Sequence, residues 1–125
     1  MSKTALIVDD SRTMRQMVAF TLKNAGFTVI EAEDGKDAVK KVQAAGDINL
    51  DIVVTDLNMP EMDGIALIKE LRKLTTFKFT PILMLTTESA MDKKQEGKEA
   101  GATGWIVKPF NPEVLLKTIA KVLPA

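Results

Sequence analysis

Short apolar or β-branched runs recur along this chain, and each is followed by a stretch with helical features. Leu6 to Val8, Thr28 to Ile30, Ile52 to Thr55, Ile82 to Thr86 and Trp105 to Val107 are the runs. Five β-α units are therefore expected, joined by right-handed crossovers into a parallel sheet with helices on both faces. The first helix is expected from Ser11 or Arg12 to about Asn24, with Met14, Met17, Val18, Thr21 and Leu22 on one face and Gly26 as its stop. The second starts near Gly35 behind an Asp34 cap, carries Ala38, Val39 and Val42 inward and stops at Gly46. Gly64 to Leu74 forms the third, with Leu67, Ile68 and Leu71 as its buried stripe. Asn111 caps the last, with Pro112 at its first position and Leu115, Leu116, Ile119 and Val122 facing inward. The fourth, Glu88 to Ala100, is mostly charged and carries Gly97 inside, which costs about 1 kcal/mol against Ala. It is expected to be the least stable and most mobile of the set.

Two of the runs end in bare carboxylates: Asp9 and Asp10 follow Val8, and Asp56 follows Thr55. In an open parallel sheet the C-terminal strand ends share one edge, where such folds place their ligands. Two carboxylates about 4 Å apart repel by roughly 1 kcal/mol in water and about 4 kcal/mol at an effective dielectric of 20. Such a cluster calls for a cation, and oxygen-only ligands point to a hard one, Mg2+ before Ca2+ or zinc. Thr86 and Lys108 end two further runs on the same edge, while the second run delivers only Glu31 and Glu33 nearby. An aspartate acts as a nucleophile when a metal offsets its charge and a cation steadies the incoming group, and Asp56 is the best placed candidate. Plainer roles exist. Asp10 is placed to cap the following helix, Thr86 alone is an ordinary strand end, and Lys108 alone is a solvated lysine. Only their joint placement carries the chemical reading. The isomer of the Lys108–Pro109 bond is open on these grounds.

Composition narrows the class. With 125 residues, 46% hydrophobic and 27% charged, the chain fits one soluble globular domain over residues 1–125. Lys plus Arg equals Asp plus Glu at 17 each, so net charge offers no ground for binding nucleic acid or an anionic membrane. The absence of Cys and His removes disulfides, thiolate zinc sites, cysteine nucleophiles and imidazole chemistry. The apolar run after Lys3 is too short for a signal peptide or a spanning helix, and a cytoplasmic location is expected.

Val8-Asp9-Asp10-Ser11, Asp56-Leu57-Asn58-Met59-Pro60-Glu61-Met62-Asp63-Gly64, Thr86-Thr87-Glu88 and Val107-Lys108-Pro109-Phe110 resemble the motifs of two-component response regulator receiver domains. The resemblance runs from about Thr4 to Leu123 and is greatest to the stand-alone chemotaxis response regulators. It implies a flavodoxin-like (βα)5 fold with strand order 2-1-3-4-5. It implies further that Asp56 accepts a phosphoryl group from a histidine kinase, with Asp10, Asp56 and the Asn58 carbonyl on Mg2+ and Asp9 holding a metal-bound water. Lys108 would pair with the phosphoryl oxygens, its bond to Pro109 would be cis, and Thr86 would move to meet the phosphoryl group while Trp105 follows it inward. Asn58 and Glu88 would set the lifetime of the phosphoryl state. The output surface would be the face of the fourth helix, fifth strand and last helix, with Met91, Lys94, Trp105, Lys117 and Lys121 as candidates.

Such a monomer would act as a switch and not as an enzyme, receiving from the kinase, serving a flagellar motor switch protein or another, non-motor output protein or acting as a phosphate shuttle or sink, and losing its phosphoryl group with or without a phosphatase. Trp105 departs from the Tyr, Phe or His common in the family, and Thr87 from a small residue. Three rival readings remain open on the sequence. A haloacid dehalogenase-type phosphatase needs a second acid two residues after its nucleophile, where this chain has Asn58. A flavin carrier needs a Ser/Thr/Gly-rich phosphate loop where this chain has Asp9-Asp10-Ser11-Arg12. An unphosphorylated binding module would keep the fold and drop the chemistry.

Overall fold

The computed structural model describes residues 3–46, 48–87 and 93–123. Strands and helices alternate: β1 (Lys3–Val8), α1 (Arg12–Asn24), β2 (Phe27–Ala32), α2 (Gly35–Ala45), β3 (Ile52–Asp56), α3 (Gly64–Lys73), β4 (Ile82–Thr87), α4 (Lys94–Ala100), β5 (Gly104–Lys108) and α5 (Pro112–Val122). A 3-10 turn at Thr75–Phe77 links α3 to β4. The strands form one sheet in the order β2-β1-β3-β4-β5, with every neighbouring pair parallel. This is the flavodoxin-like arrangement, in which the strand order reverses beside β1 and opens a crevice at the C-terminal edge.

Alternation along the central strands builds two cores. Leu6, Val8, Val53, Ile82 and Met84 point to one face and pack with Ala38 and Val42 of α2 and Leu67, Ile68 and Leu71 of α3. Ala5, Ile7, Ile52, Val54, Leu83 and Leu85 point to the other, against Val18 and Leu22 of α1 and Leu115 and Ile119 of α5. Strands covered on both faces read as continuous apolar runs, which is why the three central ones stand out in the sequence.

Side-chain caps set the helix starts. Ser11, Asp34, Asp63 and Asn111 accept hydrogen bonds from the backbone N–H groups of Met14, Asp37, Ala66 and Val114. The cap of α1 is thus Ser11, which releases Asp10 from the capping role that its position offers. At the other end of α3 the helix stops at Lys73, one residue short of expectation, because Leu74 is already extended at φ −86° and ψ 123°.

The expected fourth helix, Glu88 to Ala100, is described only over Lys94–Ala100; Glu88 and Met91 lie outside the described residues. The helical glycine has a packing reason. Gly97 is buried, and a Cβ there would stand 2.7 Å from Met84 Cε, so its bare backbone lets α4 approach β4. Arg72, which the sequence pattern does not single out, fastens this corner: its guanidinium donates to the carbonyls of Phe77 (2.7 Å), Thr80 (2.7 Å) and Gly101 (2.7 Å).

Candidate functional site

The β1 terminus delivers Asp9 and Asp10, and β3 delivers Asp56 to the same edge. One carboxylate oxygen from each of the three lies within 4.8 Å of the others. Asp9 is fully buried, Asp56 is 7% exposed, and Asp10 is open to solvent. Asp9 is anchored from several sides. Its N–H donates to the Ala32 carbonyl (3.1 Å), its carbonyl accepts from Arg15 Nη1 (2.6 Å), and its Oδ1 accepts from the Ser11 N–H (2.9 Å). Oδ2 alone is left, a buried oxygen without a hydrogen bond among the described residues.

Asp56 is held by its other neighbours. Its Oδ1 accepts from the Leu57 N–H (3.0 Å) and from Lys108 Nζ (2.9 Å), while Oδ2 takes no hydrogen bond from the described residues. Lys108 also stands 3.8 Å from Asp9 Oδ2, so one ammonium serves two acids. The loop after Asp56 returns tightly: the Gly64 N–H donates to the Leu57 carbonyl at 2.8 Å, and a Cβ on Gly64 would stand 2.4 Å from the Asp56 carbonyl oxygen. Only a glycine allows that close return. The Lys108–Pro109 bond is cis.

Burial raises the pKa of both inner acids. For Asp9, burial and the negative charges of Asp56 and Asp10 outweigh the Ser11 N–H and Lys108. For Asp56, burial and Asp10 outweigh the hydrogen bond and charge of Lys108 and the Leu57 N–H. A divalent cation would answer both conditions, because it neutralises the acids and gives the orphaned Oδ2 a partner. The all-oxygen donor set suits a hard cation such as Mg2+.

The remaining candidates fall in two places. Thr86 lies one residue before the end of β4 on the same edge, buried, with its hydroxyl donating to the Thr87 carbonyl at 3.2 Å. In register it pairs with Val107, and Thr87 pairs with Lys108. Asn58 is exposed on the loop beyond Asp56. Trp105 lies elsewhere, half-buried on β5, with Lys94 Nζ 4.1 Å from its ring centroid. On α5, Lys117 pairs with Glu113 at 3.6 Å, and Lys121 is exposed. Beside Trp105 a cavity of about 470 Å³ is lined by Phe110, Val114 and Thr118 among others.

Two residues of the site escape a reading of the sequence. Asp63 caps α3, a role that an Asp ahead of a helix start could have announced. Arg15 reaches the Asp9 carbonyl and, through Nε, Glu31 Oε1 at 3.4 Å. Its one signal is position, since it shares the inward stripe of α1 with Ala19 and Leu22, where a cation is out of place.

Comparison with known proteins agrees with this geometry. The response regulator receiver domain model matches residues 5–120. The chain belongs to the response regulator receiver family. This receiver is 43% identical over 119 residues to the chemotaxis protein CheY1 of Helicobacter pylori, covering 94% of each chain. It is 42% identical over 118 residues to the chemotaxis protein CheY of Pseudomonas aeruginosa, covering 94% of this chain and 93% of the other. The structure of the chemotaxis response regulator CheY4 of Vibrio cholerae superimposes with a TM-score of 0.91 at 52% identity, covering 98% of this chain and 100% of the other. Receivers of this kind are signalling switches governed by phosphorylation, and they bind Mg2+ at an acidic pocket. The family match sets aside the phosphatase and flavin-carrier readings.

Proposed function

We propose that Asp56 of this receiver accepts a phosphoryl group from a phosphohistidine of a histidine kinase and that the modified chain then engages an output protein. The observation that carries this reading is the division of labour at Asp56: Lys108 holds Oδ1 at 2.9 Å, and Oδ2 is left for the incoming group. Oδ2 attacks phosphorus, the new P–O bond forms as the P–N bond to the donor imidazole breaks, and the departing ring nitrogen takes up a proton. Lys108 orients Oδ1 and meets the charge of the arriving oxygens. Asp10, Asp56 and the Asn58 carbonyl would hold Mg2+, and Asp9 would contribute through a water. Such an ion would supply charge neutralisation for the phosphoryl oxygens.

Thr86 carries the signal away. A charge-assisted bond to a phosphoryl oxygen contributes about 1.5 to 3 kcal/mol against about 0.5 to 1.5 kcal/mol for the neutral bond to the Thr87 carbonyl that it replaces, a net of roughly 1 to 1.5 kcal/mol or about five- to tenfold. Complete switching needs about 5.5 kcal/mol, so binding of the output protein completes the transition. The receiving face is that of α4, β5 and α5, with Lys94, Trp105, Lys117 and Lys121. Because the relatives are named chemotaxis proteins, the output protein is best sought at the flagellar motor switch. Asn58 governs access to the phosphoryl group and so its lifetime, with or without a phosphatase. The reading is of one domain over residues 1–125, acting as a cytoplasmic monomer.

Intact mass tests it. With acetyl phosphate and Mg2+ the chain should gain one phosphoryl group, Asp56→Asn should gain none, and the fluorescence of Trp105 should change with the gain. A folded, Mg2+-binding chain that gains nothing from this or another small donor would be a binding module instead.

A further inference from the structure

Among the described residues, the Arg15–Glu31 ion pair reaches the backbone of Asp9 from outside the acid cluster. Arg15 sits on α1 with its side chain 17% exposed, Glu31 sits near the end of β2, and the guanidinium bridges them to the β1–α1 loop. One nitrogen donates to the Asp9 carbonyl at 2.6 Å, and another lies 3.4 Å from Glu31 Oε1. The β2 strand contributes the Ala32 carbonyl to the Asp9 N–H as well, so both backbone polar groups of Asp9 are tied back, one directly and one through Arg15.

We infer that Arg15, with Glu31 as its counter-charge, is a positioning residue that fixes the Asp9-Asp10-Ser11 turn in the geometry that binds Mg2+. The inference rests on the metal reading above, and it explains an arrangement that reading does not use. An arginine beside a cation site would ordinarily oppose the cation. Here its contact is with a backbone carbonyl and its charge is met by Glu31, while the charges bearing most on the Asp9 carboxyl are those of Asp56, Lys108 and Asp10. Arg15 therefore supplies direction at little electrostatic cost to the site. The planar fork suits this double task, since a lysine ammonium offers no comparable rigid pair of donors. Partners that orient ligands without touching the metal typically change affinity ten- to hundredfold when removed. A turn that visits its binding geometry for only a fraction of the time loses affinity by that same fraction.

The sign of the effect separates positioning from charge. Removing a cation near the site should tighten Mg2+ binding if charge is what matters; removing a tether should weaken it. Calorimetric titration of MgCl2 into wild type, Arg15→Ala, Glu31→Gln and the double variant, which preserves net charge, forms a closed cycle. Positioning predicts Mg2+ binding about tenfold or more weaker in Arg15→Ala and still weak in the double variant. It also predicts faster exchange of the Ser11 amide in metal-free protein, with the Val53 amide in the central sheet unchanged. Binding within twofold of wild type in the double variant, or tighter binding in Arg15→Ala, would overturn the inference. Should Arg15→Ala fail to fold, Arg15→Lys carries the same comparison, because it keeps the charge and loses the fork. A wild-type chain that binds no Mg2+ would instead sink the metal reading on which the inference stands, an outcome that the wild-type titration alone reveals.

Discussion

The acid edge and the α4–β5–α5 face are built to opposite specifications. At the acid edge Asp9 is fully buried, Asp56 nearly so, and each is held by hydrogen bonds that arrive from a different element. On the other face Trp105 is half-buried beneath Lys94, and Lys117 pairs with Glu113 one turn away on its own helix. The first region stores electrostatic tension, because desolvation raises two carboxyls that have too few partners. The second holds little of either sign. A site whose chemistry depends on sub-ångström placement gains from being over-determined, whereas a face that exchanges partners gains from contacts that are cheap to break.

Breaking the comparison begins at its stiff end. Lys108→Ala should slow phosphorylation by acetyl phosphate roughly ten- to hundredfold, the value of one charge-assisted hydrogen bond, as followed by intact mass at saturating Mg2+. The same substitution leaves Asp56 beside Asp9 with no ammonium between them, so metal-free stability should fall as well.

Asp9→Asn should have the opposite effect on the metal-free fold. An amide at this place donates where Oδ2 now accepts nothing, and urea denaturation in EDTA should show a gain on the order of 1 kcal/mol. Mg2+ reverses the ranking: at a hundred times its dissociation constant it adds about 2.7 kcal/mol to wild type and much less to the variant.

The acidity of the site sharpens this further. Asp9 and Asp56 lie above their ordinary value of 3.8 in the folded chain, so between 3.8 and the raised values the folded state binds more protons than the unfolded state. Their contribution to stability is present below 3.8 and is lost as pH rises through the folded values. The advantage of Asp9→Asn in EDTA should therefore be largest near neutrality and shrink as pH falls. A gap that stays constant with pH would show that Asp9 carries no such strain.

The smallest effect belongs to the soft face. Lys94→Ala should cost about 0.5 to 1 kcal/mol in stability, the range of a partly exposed cation–π contact, while changing the fluorescence of Trp105. Phosphorylation of Asp56 should proceed at an unchanged rate. A rate that falls with Lys94→Ala would mean that the two regions are not separable.

Much of this architecture is legible in the residues alone. The β3 and β4 runs are apolar on both faces because both faces are covered, and they begin within the expected residues. Caps at Asp34 and Asn111 stand where the helix starts require them. The strands β1 and β2 run beyond their apolar stretches, because Lys3 and Glu31 take part in strand pairing while their polar side chains break the pattern. Gly97 has the look of a weakness in a helix, and it is the point where α4 lies against Met84.

What the chain determined by itself is local: period, cap and strand end each depend on residues a few positions apart, and three acids at two strand ends follow once the strands are parallel. What only the tertiary structure decided is which distant partners those residues meet. Arg15 could have pointed at any carbonyl or acid within the reach of a long side chain, and so could Arg72. Glu31 comes within reach of Arg15 only when β2 lies beside β1, and the Gly101 carbonyl within reach of Arg72 only when the α4–β5 turn comes against α3. A hydrogen bond to a backbone oxygen leaves no mark on the sequence at its accepting end, because every residue carries that oxygen.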